Sequence, residues 1–162
     1  MEFIFFNSEY AIKIHNKIIE ISGGRSGIKD FGNIDSPLTH IQNDDYYPTF
    51  ENKLTHLVFS FNKFHAFNDG NKRTSIAIGA FFLAVNGLEF FIDKFIIEME
   101  NIAVAVADNI IDKDLLSEII ASLINEEDYS EQLKLKIFNA LELVKSENEQ
   151  INLGKDFYRG IY

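Results

Sequence analysis

Apolar residues recur along the chain at spacings that change from run to run, and those spacings predict the elements. Residues 3–6 (Phe3-Ile4-Phe5-Phe6) form an unbroken apolar run of the kind that makes a short strand, and Asn7-Ser8 behind them read as a helix N-cap. Over 9–21, Tyr10, Ile14, Ile18 and Ile21 recur at helical spacing. The run Gly23-Gly24-Arg25-Ser26-Gly27 stops that helix. The chain is then rich in Gly, Asn and Asp as far as Tyr47-Pro48, with a short helical candidate at 34–42. Residues 49–64 predict a strong helix: Pro48 stands just ahead of it, where a missing N–H does no harm, and Phe50, Leu54, Leu57, Val58, Phe61 and Phe64 share a face. The pattern breaks over 65–70. It resumes as a helix over 71–86, with Gly87 as a left-handed stop. A brief strand is expected at 90–92 and helices at 94–108, 112–124 and 130–145, while 147–162 shows no clear period. The sum is a mostly α fold, a helical bundle with a short β element. Residues 1–125 are expected to form its main part and 126–162 a C-terminal helical extension packed on the same body.

Composition narrows the function classes. The chain has 162 residues, 46 % of them hydrophobic and 25 % charged, a globular balance large enough for one real core. Fifteen Lys and Arg against 25 Asp and Glu leave a net charge of −10, which argues against nucleic acid or an anionic membrane as the partner of the whole surface. A small local phosphate site remains compatible with it. There is no Cys, so disulfides, thiolate metal sites and Cys nucleophiles are excluded. The opening residues lack a basic n-region, and no window has the apolar length of a membrane span; a cytoplasmic location is expected.

The chemistry is concentrated in His65-Ala66-Phe67-Asn68-Asp69-Gly70-Asn71-Lys72-Arg73-Thr74, between two apolar helices. Any one of these residues is ordinary punctuation at a helix–turn–helix corner. Together they are not. Gly70 admits close backbone approach, and the N-terminus of the next helix is a natural anion site. Lys72 and Arg73 add mobile and forked positive charge. Asp69 suits a Mg²⁺ ion bridging phosphate oxygens, and His65 suits a general base near neutral pH. These are the parts of a phosphoryl or nucleotidyl transfer site, where positioning and charge neutralisation carry the catalysis.

The string His65-x-Phe67-x-Asp69-Gly70-Asn71-Lys72-Arg73 resembles the signature of the Fic/Doc superfamily, most closely its death-on-curing branch. Gly23-Gly24 with Gly27-Ile28, the Tyr47-Pro48-Thr49 step and Phe82-Leu83-Ala84-Val85-Asn86-Gly87 extend the likeness over about residues 3–92, and more loosely to 124. The resemblance implies a toxin of a toxin–antitoxin system whose loop cradles ATP or a related nucleotide. His65 would deprotonate a target hydroxyl, Asp69 would bind Mg²⁺, Gly70 and Asn71 would line the phosphate turn, and Arg73 with Lys72 would neutralise phosphate. Phe67 would anchor the loop in the core, and a flap near 23–35 would position the target segment. It also implies a protein substrate, such as the translation factor elongation factor Tu.

Two departures bear on which group moves. AMP-transferring relatives commonly carry a second Arg three residues after the first, where this chain has Ile76; its absence resembles the kinase-like death-on-curing branch, which uses the nucleotide in a reversed pose. Gly70, where that branch has Ala, resembles the AMP-transferases. A lost guanidinium removes a specific contact whereas Gly is merely permissive, so phosphoryl transfer is favoured over AMPylation of Ser, Thr or Tyr. Some relatives block their own nucleotide site with a helix bearing Ser or Thr followed four residues later by Glu. Ser122 and Glu126 satisfy that spacing, but Glu127 stands where Gly or Asn is expected. Without an internal brake, the resemblance implies an antitoxin of the Phd type that docks a helix into a groove.

The remaining candidates read as structural. His15, His40 and His56 lack metal-ligand spacing and are expected at the surface or in caps; Lys53 and Lys63 are expected to face solvent, and Arg25 to be a solvated loop residue. Asp44-Asp45 reads as a turn, Tyr46-Tyr47 as packing, and the acidic residues Glu126-Glu127-Asp128, Glu142, Glu147 and Glu149 as a solvated helical surface. The rivals from other classes are a non-catalytic partner-binding module, disfavoured by the intact His65, Asp69, Asn71 and Arg73 set, and a nuclease, disfavoured by the net charge and the missing carboxylate cluster.

Overall fold

The computed structural model describes residues 2–125, 128–144 and 151–162; Glu126, Glu127, Glu147 and Glu149 lie outside them. Eight α-helices occupy the described residues: α1 (Ser8–Ser22), α2 (Gly32–His40), α3 (Phe50–Lys63), α4 (Asn71–Val85), α5 (Ile92–Ala107), α6 (Lys113–Asn125), α7 (Glu131–Glu142) and α8 (Lys155–Arg159). No described helix is long and apolar enough to cross a membrane.

The pair α3–α4 is the centre of the bundle. From Thr74 to Leu83 only Phe81 in α4 escapes full burial, the composition of a helix enclosed on all sides. It meets α3 on one side and α5 on another, where Gly79 permits close contact: a Cβ there would lie 2.5 Å from Cζ of Phe95. α1 covers α4 from outside, α2 and α6 flank α3, α7 rests on α5, and α8 touches both α4 and α5. The start of α3 is set by Thr49, whose hydroxyl accepts from the N–H of Asn52, and that of α1 by Asn7, whose side chain accepts from Tyr10.

Several expectations need correction. The run 3–6 is not a strand; the side-chain amide of Asn86 takes a strand partner's place, accepting from the Ile4 N–H at 2.8 Å and donating to the Ile4 carbonyl at 3.1 Å. Its aromatic rings seal the core edge, Phe3 against Phe50 and Phe6 against Phe81. Residues 90–92 are not a strand either: Glu89–Phe91 is one 3-10 turn leading straight into α5. Among the described residues the β element reduces to a single bridge, Ile28 with Phe67. The buried face of α1 is Ala11, Ile14, His15 and Ile18, while Tyr10 and Ile21 are exposed; His15, expected at the surface or in a cap, is fully buried. In α3, Phe50, Leu54, Leu57, Val58 and Phe61 are buried as the spacing predicts, while Phe64 falls beyond the helix end and is exposed.

Two lysines expected in solvent are structural. The Lys53 ammonium is fully buried and donates to the Ile41 and Tyr47 carbonyls and to Asp44, each at 2.6 Å, so it ties the loop ahead of α3 to that helix. Lys63 bonds the Ala107 carbonyl and Asn109 at the end of α5. His56 is buried too: its Nδ1 faces the Lys113 ammonium at 2.8 Å and its Nε2 faces Nδ1 of His40 at 3.2 Å. Burial, then Lys113 and His40, hold its pKa down to about 4, so the ring is neutral and accepts from Lys113. Ser122 is buried in α6, in keeping with a core position.

Candidate active site

Between the end of α3 and the start of α4 the chain makes the turn that carries the polar string. Gly70 adopts φ 76°, a left-handed conformation that a β-carbon penalises, and serves as N-cap of α4 with no side-chain cap. An uncapped helix start directs N–H groups that lack helical partners at whatever occupies the space in front. That space is a cavity of about 520 Å³ lined by His65, Asn68, Asp69, Gly70, Asn71, Lys72 and Arg73, all of the predicted site residues among them. The volume falls in the range of small-molecule sites.

Three tethers hold the turn. Phe67 is buried, as a loop anchor requires, and its N–H and carbonyl bond Oδ1 and Nδ2 of Asn71 at 3.1 and 3.0 Å. The Asn71 amide thus staples the turn from within. On the other side the glycine-rich segment after α1 runs along the loop. Lys29 N–H donates to the Ala66 carbonyl, Asn68 N–H to Gly27, and the Asn68 amide to Ser26. From below, the fully buried His15 stacks on Phe67 with centroids 3.7 Å apart, and its Nε2 lies 2.7 Å from the Asp69 carbonyl. A carbonyl only accepts, so Nε2 carries the proton. His15 was missed in the sequence because a lone His on a helix face has no signature.

Asp69 is held ionised. Its carboxylate accepts the Arg25 N–H at 3.0 Å and the Gly70 N–H at 2.8 Å, and these bonds, with the nearby Arg73 and Arg25 guanidinium groups, lower its pKa. The side chain is 42 % exposed, so the carboxylate retains lone pairs for a cation. No described cluster of three His or acidic groups could hold a metal by protein ligands alone. A single carboxylate beside an anion site is the donor set that Mg²⁺ takes when phosphates complete its shell.

Arg73 reaches back to α1, bonding the Ser22 hydroxyl and the Gly23 carbonyl, and lies 3.9 Å from Asp69. Arg25, expected in free solvent, donates from its side chain to the Asn68 carbonyl at 3.3 Å and so belongs to the same cluster. His65 stands at the cavity rim, exposed, with φ 50°. A non-glycine residue in that region costs on the order of 1 kcal/mol. The rest of the lining comes from residues no motif marks: Ser22, Asn62, Ala107, Ile151, Asn152 and Leu153.

The sequence model of the Fic/DOC family matches residues 5–83, which include the whole turn. Among curated proteins, Toxin Doc of Mycolicibacterium smegmatis is 31 % identical over 103 residues, covering 61 % of this chain and 79 % of that protein. No solved structure matches the chain.

Proposed function

Because the chain belongs to the Fic/Doc family, we propose that it is a Doc-type toxin, a transferase that moves a phosphate-containing group from ATP to a protein hydroxyl. The observation that carries this reading is the left-handed Gly70 turn, which opens an uncapped helix start, Lys72 and Arg73 into a cavity with His65 on its rim.

In the favoured reaction His65 takes the proton of the target hydroxyl, whose oxygen attacks the γ-phosphorus. The bond from that phosphorus to the β–γ bridging oxygen breaks and ADP leaves. Lys72, Arg73 and the α4 N-terminus hold the phosphates, and Asp69 would hold Mg²⁺, which neutralises charge shared among the phosphate oxygens. Phosphoryl transfer is preferred to AMP transfer on two grounds. Ile76, where the second Arg of AMP-transferases stands, is fully buried, so that face of α4 offers the cavity no guanidinium. Gly70 is demanded by its own φ and therefore says little about which phosphorus reacts.

The protein target we carry forward is a translation factor such as elongation factor Tu, with a Phd-type antitoxin as the restraining partner. ATP labelled separately at the α and γ positions, incubated with cell lysate and the protein, tests the reaction. Label transferred from γ alone supports the kinase reading. Transfer from α makes it an AMP-transferase. Mg-ATP binding with no transfer from either makes it a partner-binding module.

A further inference from the structure

Gly24, in the segment that follows α1, stands against the charged turn. It adopts φ 117°, a conformation that side chains rarely take. A β-carbon there would lie 2.7 Å from Oδ2 of Asp69, 3.0 Å from Cδ1 of Ile19 and 3.1 Å from Nη2 of Arg73. The first distance is well inside van der Waals contact. Its neighbour Gly23 also has a positive φ, 84°, yet a β-carbon on it would meet nothing within 4 Å. The two glycines share a backbone demand and differ in what they touch.

Two backbone N–H groups grip the Asp69 carboxylate, one on each oxygen. Arg25, next to Gly24, donates to Oδ2 at 3.0 Å, and Gly70 donates to Oδ1 at 2.8 Å. Each oxygen keeps accepting capacity beyond the bond it already has. The grip matters because a guanidinium is close: Nη2 of Arg73 lies 3.9 Å from Oδ1, while its Nη1 is held by the Ser22 hydroxyl and the Gly23 carbonyl. A carboxylate released from Arg25 has Arg73 within reach, and a close pair with that guanidinium would occupy the lone pairs a cation needs.

We propose that Gly24 is a positioning residue for the Asp69 cation site: by carrying no side chain it lets the Arg25 N–H reach Oδ2, and so keeps the carboxylate apart from Arg73 and open to a divalent cation. The inference rests on the nucleotide-and-Mg²⁺ reading above. Gly24 acts through Asp69 and donates nothing to the cation itself. Groups that orient a metal ligand in this way typically govern about 10–100-fold in metal affinity.

Titration calorimetry of ATP on the full chain, once with Mg²⁺ in excess and once in EDTA, gives the factor by which Mg²⁺ tightens ATP binding. Gly24→Ala should cut that factor about tenfold. Gly23→Ala, which strains the backbone without meeting Asp69, should keep it. Asp69→Asn should also lower it, and adding Gly24→Ala to Asp69→Asn should leave the Kd for Mg-ATP where Asp69→Asn alone puts it. If Gly24→Ala does not fold, Arg25→Pro removes the same N–H and should reproduce the loss, whereas Arg25→Ala retains the N–H and should keep at least the wild-type factor. An unchanged factor in Gly24→Ala, an equal loss in Gly23→Ala, or a further loss of Mg-ATP affinity on the Asp69→Asn background overturns the positioning role. So does a loss in Arg25→Ala that equals that in Arg25→Pro. A wild type whose ATP binding Mg²⁺ does not tighten overturns the nucleotide-and-Mg²⁺ reading itself.

Discussion

His15 lies flat against Phe67, their planes within 3° and their centroids 3.7 Å apart, while its Nε2 donates to the carbonyl of Asp69. One buried ring on α1 therefore touches both the anchor of the polar turn and the backbone of its metal-binding candidate. Arg73 returns the connection, bonding the last turn of α1 from the start of α4. The turn is stapled to the N-terminal helix from two directions, and its geometry depends on a helix that carries none of the signature.

Removing that staple should cost stability and activity together. His15→Ala leaves a cavity beneath Phe67 and an unsatisfied Asp69 carbonyl, with an expected loss of about 3 kcal/mol in denaturant unfolding. His15→Gln, which can still donate to the carbonyl, should recover part of the transfer activity lost in the Ala variant.

Acid should destabilise the protein before its carboxylates titrate. Burial lowers the pKa of His15 and, with Lys113 and His40, brings that of His56 to about 4 from an ordinary 6.5. A group depressed in the folded state binds more protons when unfolded. The stability tied to the neutral rings is complete above pH 6.5 and is lost as pH falls towards 4, with His56 alone contributing up to about 3 kcal/mol across that window. Unfolding free energies measured from pH 7 to pH 4 should show the decline, and His56→Gln should flatten it.

His65 should separate catalysis from folding. The residue is exposed and strained, so His65→Ala is expected to keep the wild-type melting temperature, and His65→Gly to gain up to about 1 kcal/mol from the relieved φ. Both should lose label transfer by roughly a hundredfold or more. A variant that folds and transfers at the wild-type rate would remove His65 from the mechanism.

Lys53 should behave as a core residue despite its charge. Lys53→Met keeps the stem but strands the Ile41 and Tyr47 carbonyls, an expected cost of about 3 kcal/mol. Thermal unfolding of this variant against Lys13→Met, whose ion pair with Glu9 is exposed, gives the comparison.

Much of this was legible because the signals are local. The cap at Asn7, the buried face of α3 as far as Phe61 and the helical span of α4 each follow from spacing within a few residues. The chemical turn was legible for the same reason, since its groups are neighbours in sequence. What escaped was non-local. Asn86 takes the place of a strand partner for Ile4 across 82 positions, and Glu100 holds Leu153 across 53. Lys53 and His56 look like surface residues until the loop and α6 close over them. Periodicity reports which face a helix buries, not which polar group the fold will supply to satisfy an intruder.

The residues 151–153 that line the cavity have a consequence in time. Ile151 follows Arg73 by 78 residues (151 − 73) in the order of synthesis. At about 5–20 residues per second, a growing chain has its charged turn several seconds before it has Ile151, Asn152 and Leu153. A half-made copy therefore carries the signature string while the lining of its cavity is still incomplete.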